Sequence, residues 1–363
     1  MLGFVGACER KGMDTMSHIG IIGAGSWGTG LGVSLCSAGH IVRIWDVFTE
    51  NLKDMESHRE NRRYLPGVAL PENLHITHSH KDVFAHAELV VFAAPSQQFR
   101  SALVEALPYL TPSMLVINVA KGIEQDSLLL QSEIAAQVLS EDSANRYVVV
   151  SGPSHAEEVG RALPTTLVAA AKERSQAERV QDLLMSSRLR VYTSTDVRGV
   201  ELGGALKNII ALGAGISDGL GFGDNTKAAM MTRGIAEMSR LGVALGARED
   251  TFFGLAGIGD LIVTCTSMHS RNRRCGILIG EGLPPEQAMD EVGMVVEGVY
   301  TTKAAYALAK KMGVSMPITA HIHAVLNGEM KARDAVESLM TRSKKHERAE
   351  ELVYRAGMEK GSS

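Results

Sequence analysis

The sequence is poor in the features that mark secreted, membrane-spanning or nucleic-acid-binding proteins. Its four cysteines form no CxxC pair, so neither a disulfide framework nor a cysteine metal site is predicted. A formal net charge of -4 gives no global basic field and argues against a nucleic-acid partner. No apolar run reaches the roughly 18 uncharged residues of a membrane span, so no stable membrane insertion is expected. The cysteines, expected to be reduced thiols in the cytoplasm, are Cys8, Cys36, Cys265 and Cys275.

The two ends of the chain differ from the rest. The first residues include Glu9, Arg10 and Lys11 and have no long apolar segment, so they do not look like a secretory signal. Met16 directly precedes the first apolar run, and residues 1–16 are therefore predicted to be an N-terminal extension. The chain becomes rich in Lys, Arg and Glu near its end, so residues 346–363 are predicted to form a polar, solvated tail.

The N-terminal half alternates short apolar runs with segments of helical spacing, of which residues 28–38 are the first. Strands separated by helices indicate a parallel sheet with crossover connections, and short uncharged strands suit a sheet that is covered on both faces. We therefore predict an α/β Rossmann-type parallel-sheet domain over residues 17–205. The predicted strands are residues 18–23, 41–46, 88–93, 114–119 and 147–151.

The second half has helical periodicity and few β-branched runs. In one of its segments Met231, Ile235, Met238 and Gly242 fall on a single helical face. An all-α C-terminal domain is therefore predicted over residues 206–345, as the substrate and catalytic domain. Its predicted helices are residues 201–217, 226–246, 284–291, 299–312 and 317–327.

A glycine-rich loop follows the first predicted strand. Residues 23–28 read GAGSWG and fit the pattern G-x-G-x-x-G between a strand and a helix. Gly23 permits the tight turn, Gly25 lets the backbone approach a pyrophosphate, and Gly28 allows the helix to pack closely on the strand. The N–H groups at the start of the helix can then bind the diphosphate. The loop predicts a dinucleotide site rather than a turn without a ligand.

Asp46 ends the second predicted strand, where an acid can bind the hydroxyl groups of the adenosine ribose and repel a 2′-phosphate. The residues from Val47 to Glu50 offer no basic group. Arg43 is close in sequence, but side chains alternate along a strand and place it on the opposite face. The cofactor is therefore NAD or NADP, with NAD favoured.

Two polar clusters follow predicted strands, where ligands of open α/β sheets bind. Lys121 lies in the run 118–122 and can meet an anionic substrate, although an isolated lysine in a turn is as often only solvated. Gly152 and Ser154 lie in a Gly-Pro turn whose N–H groups and hydroxyl can contact the substrate or the nicotinamide. Without such neighbours this segment is only a turn.

Two more clusters lie in the helical half. Lys207 and Asn208 interrupt an apolar helix, where lost solvation would lower the lysine pKa toward the range useful for proton transfer. The alternative is a lysine that extends to solvent from a helix edge. Arg271, in the run 270–274, can bind a phosphate with its planar fork, or the run is an exposed basic turn. No metal is predicted, since His321 and His323 would point to different helix faces.

Taken together, these clusters resemble the NAD(P)-dependent glycerol-3-phosphate dehydrogenase family in its bacterial branch. The resemblance covers about residues 18–345 and implies a Rossmann domain followed by an all-helical domain. The first 15 residues have no counterpart, and some bacterial members carry Gly at the position of Asp46. The matching stretches are GAGSWGT (23–29), NVAKGIE (118–124), VSGPSHAEEV (150–159), residues 199–242, residues 254–276 and VVEGVYTTK (295–303).

The resemblance implies a role for each matching position. Lys207 matches the family's catalytic acid/base lysine, Lys121 lies beside it, and Asp260 matches a polar partner of the substrate and the catalytic lysine. The implied substrate contacts are Lys121, Gly152, Ser154, Lys207, Asn208, Asp260, Ser270, Arg271 and Asn272. Further cofactor contacts are expected from the glycine loop, from the end of the second predicted strand and from the resemblance. They are Gly23, Gly25, Ser26, Trp27, Gly28, Asp46, Lys121, Ala156, Arg271, Val295 and Glu297.

The implied reaction is the reversible reduction of dihydroxyacetone phosphate to sn-glycerol 3-phosphate, a small-molecule substrate that would feed phospholipid synthesis. Lys207 would protonate the carbonyl oxygen and Arg271 would bind the phosphate. Two alternatives stay open. A related β-hydroxyacid or 6-phosphogluconate dehydrogenase would leave the run 270–274 unexplained, and a silent NAD(H)-sensing protein would leave both lysines unexplained. A homodimer is expected from the large helical surface.

Overall fold

The computed structural model describes residues 16–139 and 145–344. Apart from Met16, the predicted N-terminal extension lies outside these residues, as do Cys8 and the predicted tail 346–363. The strands described are β1 (His18–Ile22), β2 (Ile41–Trp45), β3 (Glu60–Asn61), β4 (Leu65–Ala69), β5 (Leu74–Ile76), β6 (Leu89–Phe92), β7 (Leu115–Asn118), β8 (Tyr147–Ser151), β9 (Thr165–Ala171) and β10 (Leu189–Ser194).

The helices described fall into two groups, before and after residue 196. The first group is α1 (Ser26–Ser37), α2 (Thr49–His58), α3 (His80–Val83), α4 (Phe99–Ala106), α5 (Gln131–Val138), α6 (Ala156–Gly160) and α7 (Arg174–Leu184). The second group is α8 (Val197–Gly219), α9 (Asp224–Ala244), α10 (Glu249–Phe252), α11 (Asp260–Thr266), α12 (Arg271–Gly280), α13 (Pro285–Val292), α14 (Glu297–Met312), α15 (Pro317–Leu326) and α16 (Ala332–Met340). The predicted fold class, an α/β domain followed by a helical domain, is confirmed.

One sheet of eight strands forms the N-terminal part, in the order β10-β9-β8-β7-β6-β1-β2-β5. β1 lies between β2 and β6 and is parallel to both, with Ile21 opposite Ile44 on one side and Val91 on the other. The chain leaves β1 toward β2 and later returns to its other side with β6, so the strand order reverses there. In open α/β sheets this reversal opens a crevice at the carboxyl ends of the strands.

The predicted parallel sheet is confirmed, with one antiparallel pair in it: β8 and β9, with Val149 opposite Ala170. The connection between them contains only the five-residue helix α6. The chain re-enters the sheet from the carboxyl end of β8, so β9 runs in the opposite direction to it. The sequence patterns also missed β3, β4, β5, β9 and β10.

The sheet has a core on each face. One core packs Ile21, Leu31 and Ile44 together with further aliphatic side chains, and the other contains Phe92, Phe99 and their neighbours. Strands β6, β7 and β8 are buried at every position. The expectation of a sheet covered on both faces is therefore confirmed, and only the strand ends are left for ligands.

The helical half is built around α8. This helix begins after Asp196, whose side chain accepts the Gly199 N–H at 2.9 Å, and it is buried from Gly199 to Ser217. The domain boundary predicted between residues 205 and 206 falls inside the helix. By length and composition α8 could cross a membrane, and the bent pair Glu249–Thr266 with Arg271–Gly280 passes the same test. The apolar stretch of α8 is entirely buried within the protein.

Helix α12 crosses α8 so closely that glycines are required where the two backbones meet. A Cβ atom on Gly215 would collide with the Arg273 carbonyl oxygen, and one on Gly276 would collide with the Leu212 carbonyl oxygen. Only residues without side chains allow the two backbones to approach so closely. This contact fixes the start of α12, which carries Arg271, relative to α8, which carries Lys207.

Candidate active site

The glycine loop has the geometry of a dinucleotide site. Gly23 adopts φ +108°, and a Cβ atom there would lie 2.8 Å from the Ala93 carbonyl carbon. A Cβ atom on Gly25 would have no neighbour within 4 Å, so the loop is open at that point. Ser26 and Trp27 begin α1, and a Cβ atom on Gly28 would collide with the Gly23 carbonyl oxygen. Gly23 and Gly28 thus have no room for a side chain, whereas Gly25 faces open space.

Asp46 lies beside this loop but is largely turned inward. Its Oδ2 accepts the N–H of Ala24 at 2.6 Å, and its Oδ1 accepts the N–H of Phe48 at 3.0 Å. The residue is only 8% exposed. The carboxylate thus connects the glycine loop to the end of β2 by hydrogen bonds. Arg43 donates to the Ala85 carbonyl oxygen at 3.0 Å, away from Asp46.

Two lysines from different parts of the chain share one buried carboxylate. Lys207, on α8, lies 2.6 Å from Asp260 Oδ1, and Lys121, after β7, lies 2.7 Å from Asp260 Oδ2. Lys207 Nζ also donates to Thr264 Oγ1 at 2.6 Å, and Lys121 Nζ donates to the Gly152 carbonyl oxygen at 3.0 Å. An ammonium group has three N–H donors, so each lysine keeps one for a ligand.

Burial determines the electrostatics of this cluster. Burial lowers the pKa of Lys207 to about 8, although the negative charge of Asp260 opposes the shift. Burial also raises the pKa of Asp260, but Lys121 and Lys207 outweigh this effect and hold that pKa below its usual value. With both lysines charged, the three groups carry a net charge of +1. Such a charge in a poorly hydrated site can stabilise an oxyanion.

Close packing between the two halves of the chain brings the lysines together. A Cβ atom on Gly204 would lie 2.8 Å from Ser151 Oγ and 3.4 Å from Lys121 Cγ. Helix α8 therefore meets the ends of β7 and β8 directly. Gly152, with φ +133°, turns the chain after β8 so that its carbonyl oxygen faces Lys121. Ser154 Oγ donates to the same oxygen at 3.0 Å.

A chain of amide hydrogen bonds extends from Lys121 to α14. Asn208 Nδ2 donates to the Lys121 carbonyl oxygen at 3.3 Å, and Asn272 Nδ2 donates to Asn208 Oδ1 at 2.9 Å. Asn272 Oδ1 accepts the Gly298 N–H at 2.8 Å. Both asparagines are buried. They connect the sheet, α8, α12 and α14, which is a structural role that the sequence patterns did not indicate.

Arg271 is the first residue of α12, and Ser270 caps that helix by accepting the Arg273 N–H at 3.2 Å. Within the described residues, Arg271 makes no hydrogen bond or salt bridge. Burial lowers its pKa, and Glu297 opposes that shift. Arg273, by contrast, pairs with Asp218 on α8 at 2.7 Å. The run 270–274 is therefore not simply an exposed basic turn.

Glu297 links the helical half to the sheet. Its carboxylate accepts the Ser96 N–H at 2.8 Å and the Ser96 hydroxyl at 2.5 Å, just beyond β6. Burial raises the pKa of Glu297, and the hydrogen bonds from Ser96 oppose the shift. Gly122, next to Lys121, packs here, since a Cβ atom on it would collide with Ser96 Oγ. Val295, two residues earlier, is exposed.

Two residues at the site were not assigned from the sequence. Thr264 follows Asp260 by four positions, so both lie on one face of α11, a spacing that could have indicated it. Ser96 follows the carboxyl end of β6, which was a usable signal. Ala156, which the resemblance implies as a cofactor contact, packs against α1, where a Cβ atom on Gly30 would lie 3.0 Å from its carbonyl oxygen. No cluster able to hold a metal ion occurs within residues 16–139 and 145–344.

These features fit a dinucleotide and a substrate whose oxygen gains negative charge. The opening at Gly25 leaves room for a pyrophosphate, and the lysines lie beyond the neighbouring strand ends with N–H donors to spare. The fold and the site together define a coenzyme-dependent oxidoreductase with a Rossmann-type domain.

Comparison with known proteins gives the family. The family model described as "NAD-dependent glycerol-3-phosphate dehydrogenase N-terminus" matches residues 18–177. The model of the corresponding C-terminus matches residues 196–337. The chain therefore belongs to the NAD-dependent glycerol-3-phosphate dehydrogenase family.

Individual relatives agree with this assignment. A glycerol-3-phosphate dehydrogenase (NAD(P)+) of Pelotomaculum thermopropionicum is 53% identical over 340 residues, covering 94% of this chain and 97% of its own. That of Bacillus subtilis is 50% identical over 338 residues, covering 93% and 98%. The crystal structure of glycerol-3-phosphate dehydrogenase from Coxiella burnetii has 36% identity and a TM-score of 0.86, covering 90% of this chain and 99% of its own.

Proposed function

We propose that this chain is an NAD(P)-dependent sn-glycerol-3-phosphate dehydrogenase that reversibly reduces dihydroxyacetone phosphate to sn-glycerol 3-phosphate. The observation that carries the proposal is the pair Lys121 and Lys207 on the single carboxylate of Asp260. The pair lies at the carboxyl ends of the sheet strands, where the family's coenzyme would bind. The names of the curated relatives support the same activity.

The coenzyme would be held by the glycine loop at one end and by residues near Lys121 at the other. Gly25 and the N–H groups that begin α1 would contact the pyrophosphate. Ala156, Val295 and Glu297 would lie along the remainder. The bound coenzyme supplies the hydride, so the protein has to provide position, protonation and charge stabilisation.

Lys207 is the proposed proton donor in the reducing direction. Two of its three N–H groups are directed to Asp260 and Thr264, so the third can reach the substrate's carbonyl oxygen. As negative charge develops on that oxygen, Lys207 transfers the proton, and the charged Lys121 lowers the energy of the oxyanion. In the reverse direction neutral Lys207 accepts the proton from the hydroxyl group.

Arg271 is the proposed phosphate ligand. It begins α12 without an internal hydrogen bond or salt bridge among the described residues, so its five N–H donors are available for an anion. Ser270 and the first N–H groups of α12 would assist, as helix starts do with phosphates. Asn272 would act chiefly through Asn208 and Gly298, which it holds in place. Binding energy at the phosphate can then orient the distant ketone.

The test is the oxidation of NADH and NADPH with dihydroxyacetone phosphate, followed by absorbance at the nicotinamide band. Turnover with this substrate is the expected result, with no reduction of NAD+ or NADP+ in parallel assays that supply 6-phosphogluconate or a β-hydroxyacid. Turnover only with a β-hydroxyacid would instead support the related dehydrogenase. Coenzyme binding without turnover of any substrate would support the silent NAD(H)-sensing protein.

The biological setting is part of the proposal. The product would supply phospholipid synthesis, and the enzyme would act in the cytoplasm as a homodimer. The dimer is inferred from the large surface of the helical half. Analytical ultracentrifugation tests the dimer. We also propose that the coenzyme and catalytic domains divide near the start of α8.

A further inference from the structure

The adenosine end of the proposed coenzyme site contains a cation that has no acidic partner. The Arg63 guanidinium carbon lies 5.1 Å from the Tyr64 ring centre and 6.0 Å from the Phe48 ring centre. Arg63 is exposed, and Phe48 is 56% exposed. Within the described residues no hydrogen bond or salt bridge engages Arg63. Its charge is therefore held by two aromatic faces and is open to solvent.

Two anchors fix the position of Arg63 relative to the glycine loop. Asn61 Nδ2 donates to the Ala24 carbonyl oxygen at 2.8 Å and to Thr29 Oγ1 at 2.8 Å. Asn61 Oδ1 accepts the Tyr64 N–H at 3.2 Å, so the turn that carries Arg63 is tied to the loop. Phe48 is tied to the same loop through Asp46, which also accepts the Ala24 N–H. Arg63 thus lies where β2 ends and the ribose of the coenzyme would bind.

The other basic groups around this strand end are already engaged. Arg59 donates to the Leu74 carbonyl oxygen at 3.0 Å, and Arg62 Nε donates to Asp54 at 3.1 Å. Lys53 pairs with Glu50 at 2.8 Å, and Arg43 donates to Ala85. Asp46 is a further acid at this end, and each of its oxygens accepts a backbone N–H. Among the basic groups named here, Arg63 is therefore the one that no described hydrogen bond or salt bridge engages.

We propose that Arg63 is a coenzyme-selecting residue that binds the 2′-phosphate of NADP(H). A guanidinium group held between two rings is pre-organised for a phosphate, and a charge-assisted bond to a phosphate is stronger than one between neutral groups. The sequence offered no such group, since it showed no basic residue directly after Asp46. Arg63 reaches this end only because the segment 59–64 folds back onto the loop. The proposal rests on the proposed coenzyme site.

The test compares Arg63→Gln with Arg62→Gln, a neighbouring exposed arginine that is paired with Asp54. Calorimetry measures the Kd of 2′,5′-ADP and of 5′-AMP, which are adenosine fragments with and without the 2′-phosphate. Arg63→Gln should raise the Kd of 2′,5′-ADP and of NADPH about tenfold or more and leave 5′-AMP and NADH within about twofold. Arg62→Gln should change neither fragment, and Arg63→Lys should restore part of the binding.

Three results would overturn the assignment. The first is wild-type protein that binds 2′,5′-ADP no more tightly than 5′-AMP. The second is an equal loss of both fragments in Arg63→Gln, which would make Arg63 a general support of the adenosine pocket. The third is an unchanged Kd for every ligand. Turnover of dihydroxyacetone phosphate with NADH by Arg63→Gln separates these results from failure of the proposed function, because that activity needs no 2′-phosphate.

Discussion

The lysine cluster and the adenosine end of the same proposed site differ in how they hold charge. At the cluster, Lys207 is 6% exposed and Asp260 is 1% exposed, and every charge has a partner within 2.7 Å. At the adenosine end, Arg63 is exposed and lies near two aromatic rings, with no hydrogen bond or salt bridge among the described residues. Buried charges interact strongly because water does not screen them, whereas exposed charges are weakened by water and salt. The cluster is thus suited to proton transfer and charge stabilisation, and the adenosine end to discrimination between NADH and NADPH.

The largest expected effect is at the cluster. Lys207→Ala removes the proposed proton donor, and loss of a positioned general acid typically lowers the rate by about 10²–10⁴. We expect kcat to fall by about that factor, with the NADH dissociation constant nearly unchanged, because the glycine loop does not contact Lys207. The measurement is kcat together with NADH affinity by fluorescence titration.

Lys121→Ala is the matched variant. It should lower kcat as well, but it should also weaken substrate binding, because Lys121 adds charge rather than the transferred proton. A folded Lys207→Ala protein that keeps more than about a tenth of wild-type kcat would contradict its role and direct attention to Lys121. Circular dichroism controls for folding, since either change leaves Asp260 with one fewer partner.

Arg271→Ala should have the next largest effect. We expect kcat/KM for dihydroxyacetone phosphate to fall, because a phosphate would be left poorly paired. The fall should correspond to a loss of transition-state stabilisation on the order of 2–5 kcal/mol. Unphosphorylated dihydroxyacetone should be affected far less. Arg271→Lys, which keeps the charge but not the planar fork, should be intermediate. Equal losses on both substrates would mean that Arg271 supports the fold or the coenzyme through Glu297.

The pH profile examines the buried cluster without a mutation. Burial places the pKa of Lys207 at about 8, and reduction requires its ammonium form. As the pH rises through about 8, kcat/KM for reduction should fall, approaching tenfold per pH unit. Oxidation of glycerol 3-phosphate requires the neutral amine and should rise over the same range. Lys207→Ala should lose this inflection, and an inflection that persists in that variant would assign it to another group.

Much of the site could be predicted from sequence because its signals are local. The strand, glycine loop and helix are contiguous, and Lys207 stands out as a charge among apolar residues on one helix. Arg271 stood out in the basic run 270–274, whereas the role of Asp260 came only from the resemblance; the periodicity had indicated neither of their helices. The hydrogen bonds of Lys207 to Thr264 and of Glu297 to Ser96 depend on packing between distant segments. Spacing and position could indicate Thr264 and Ser96 as site residues, but not that their partners would be Lys207 and Glu297.

The strands at one side of the sheet were also not predictable from sequence patterns. β10 is an edge strand and β9 lies next to it, both are partly exposed, and β9 pairs antiparallel with β8. The inward turn of Asp46 was also beyond sequence reasoning. A carboxylate after a strand suggests a ribose ligand, but its hydrogen bonds to the backbone of Ala24 and Phe48 appear only in three dimensions.

Substitution of Asp46 should have the smallest effect of these variants, a change in coenzyme preference. It tests directly how charge acts at the adenosine end, in contrast to the lysine cluster. The charge of Asp46 lies at the end where Arg63 acts with opposite sign, so Asp46→Gly should raise the ratio of NADPH to NADH efficiency by about fivefold, as expected for a weakly screened charge worth about 1 kcal/mol. Asp46→Gly also frees the Ala24 N–H, so both coenzymes should bind less tightly in absolute terms. Asp46→Asn separates the two effects, because it removes the charge but keeps one oxygen acceptor for the loop. It should change the ratio with a smaller loss of affinity. If the wild-type enzyme already prefers NADPH tenfold, Asp46 does not select NAD, and the choice of coenzyme lies with Arg63.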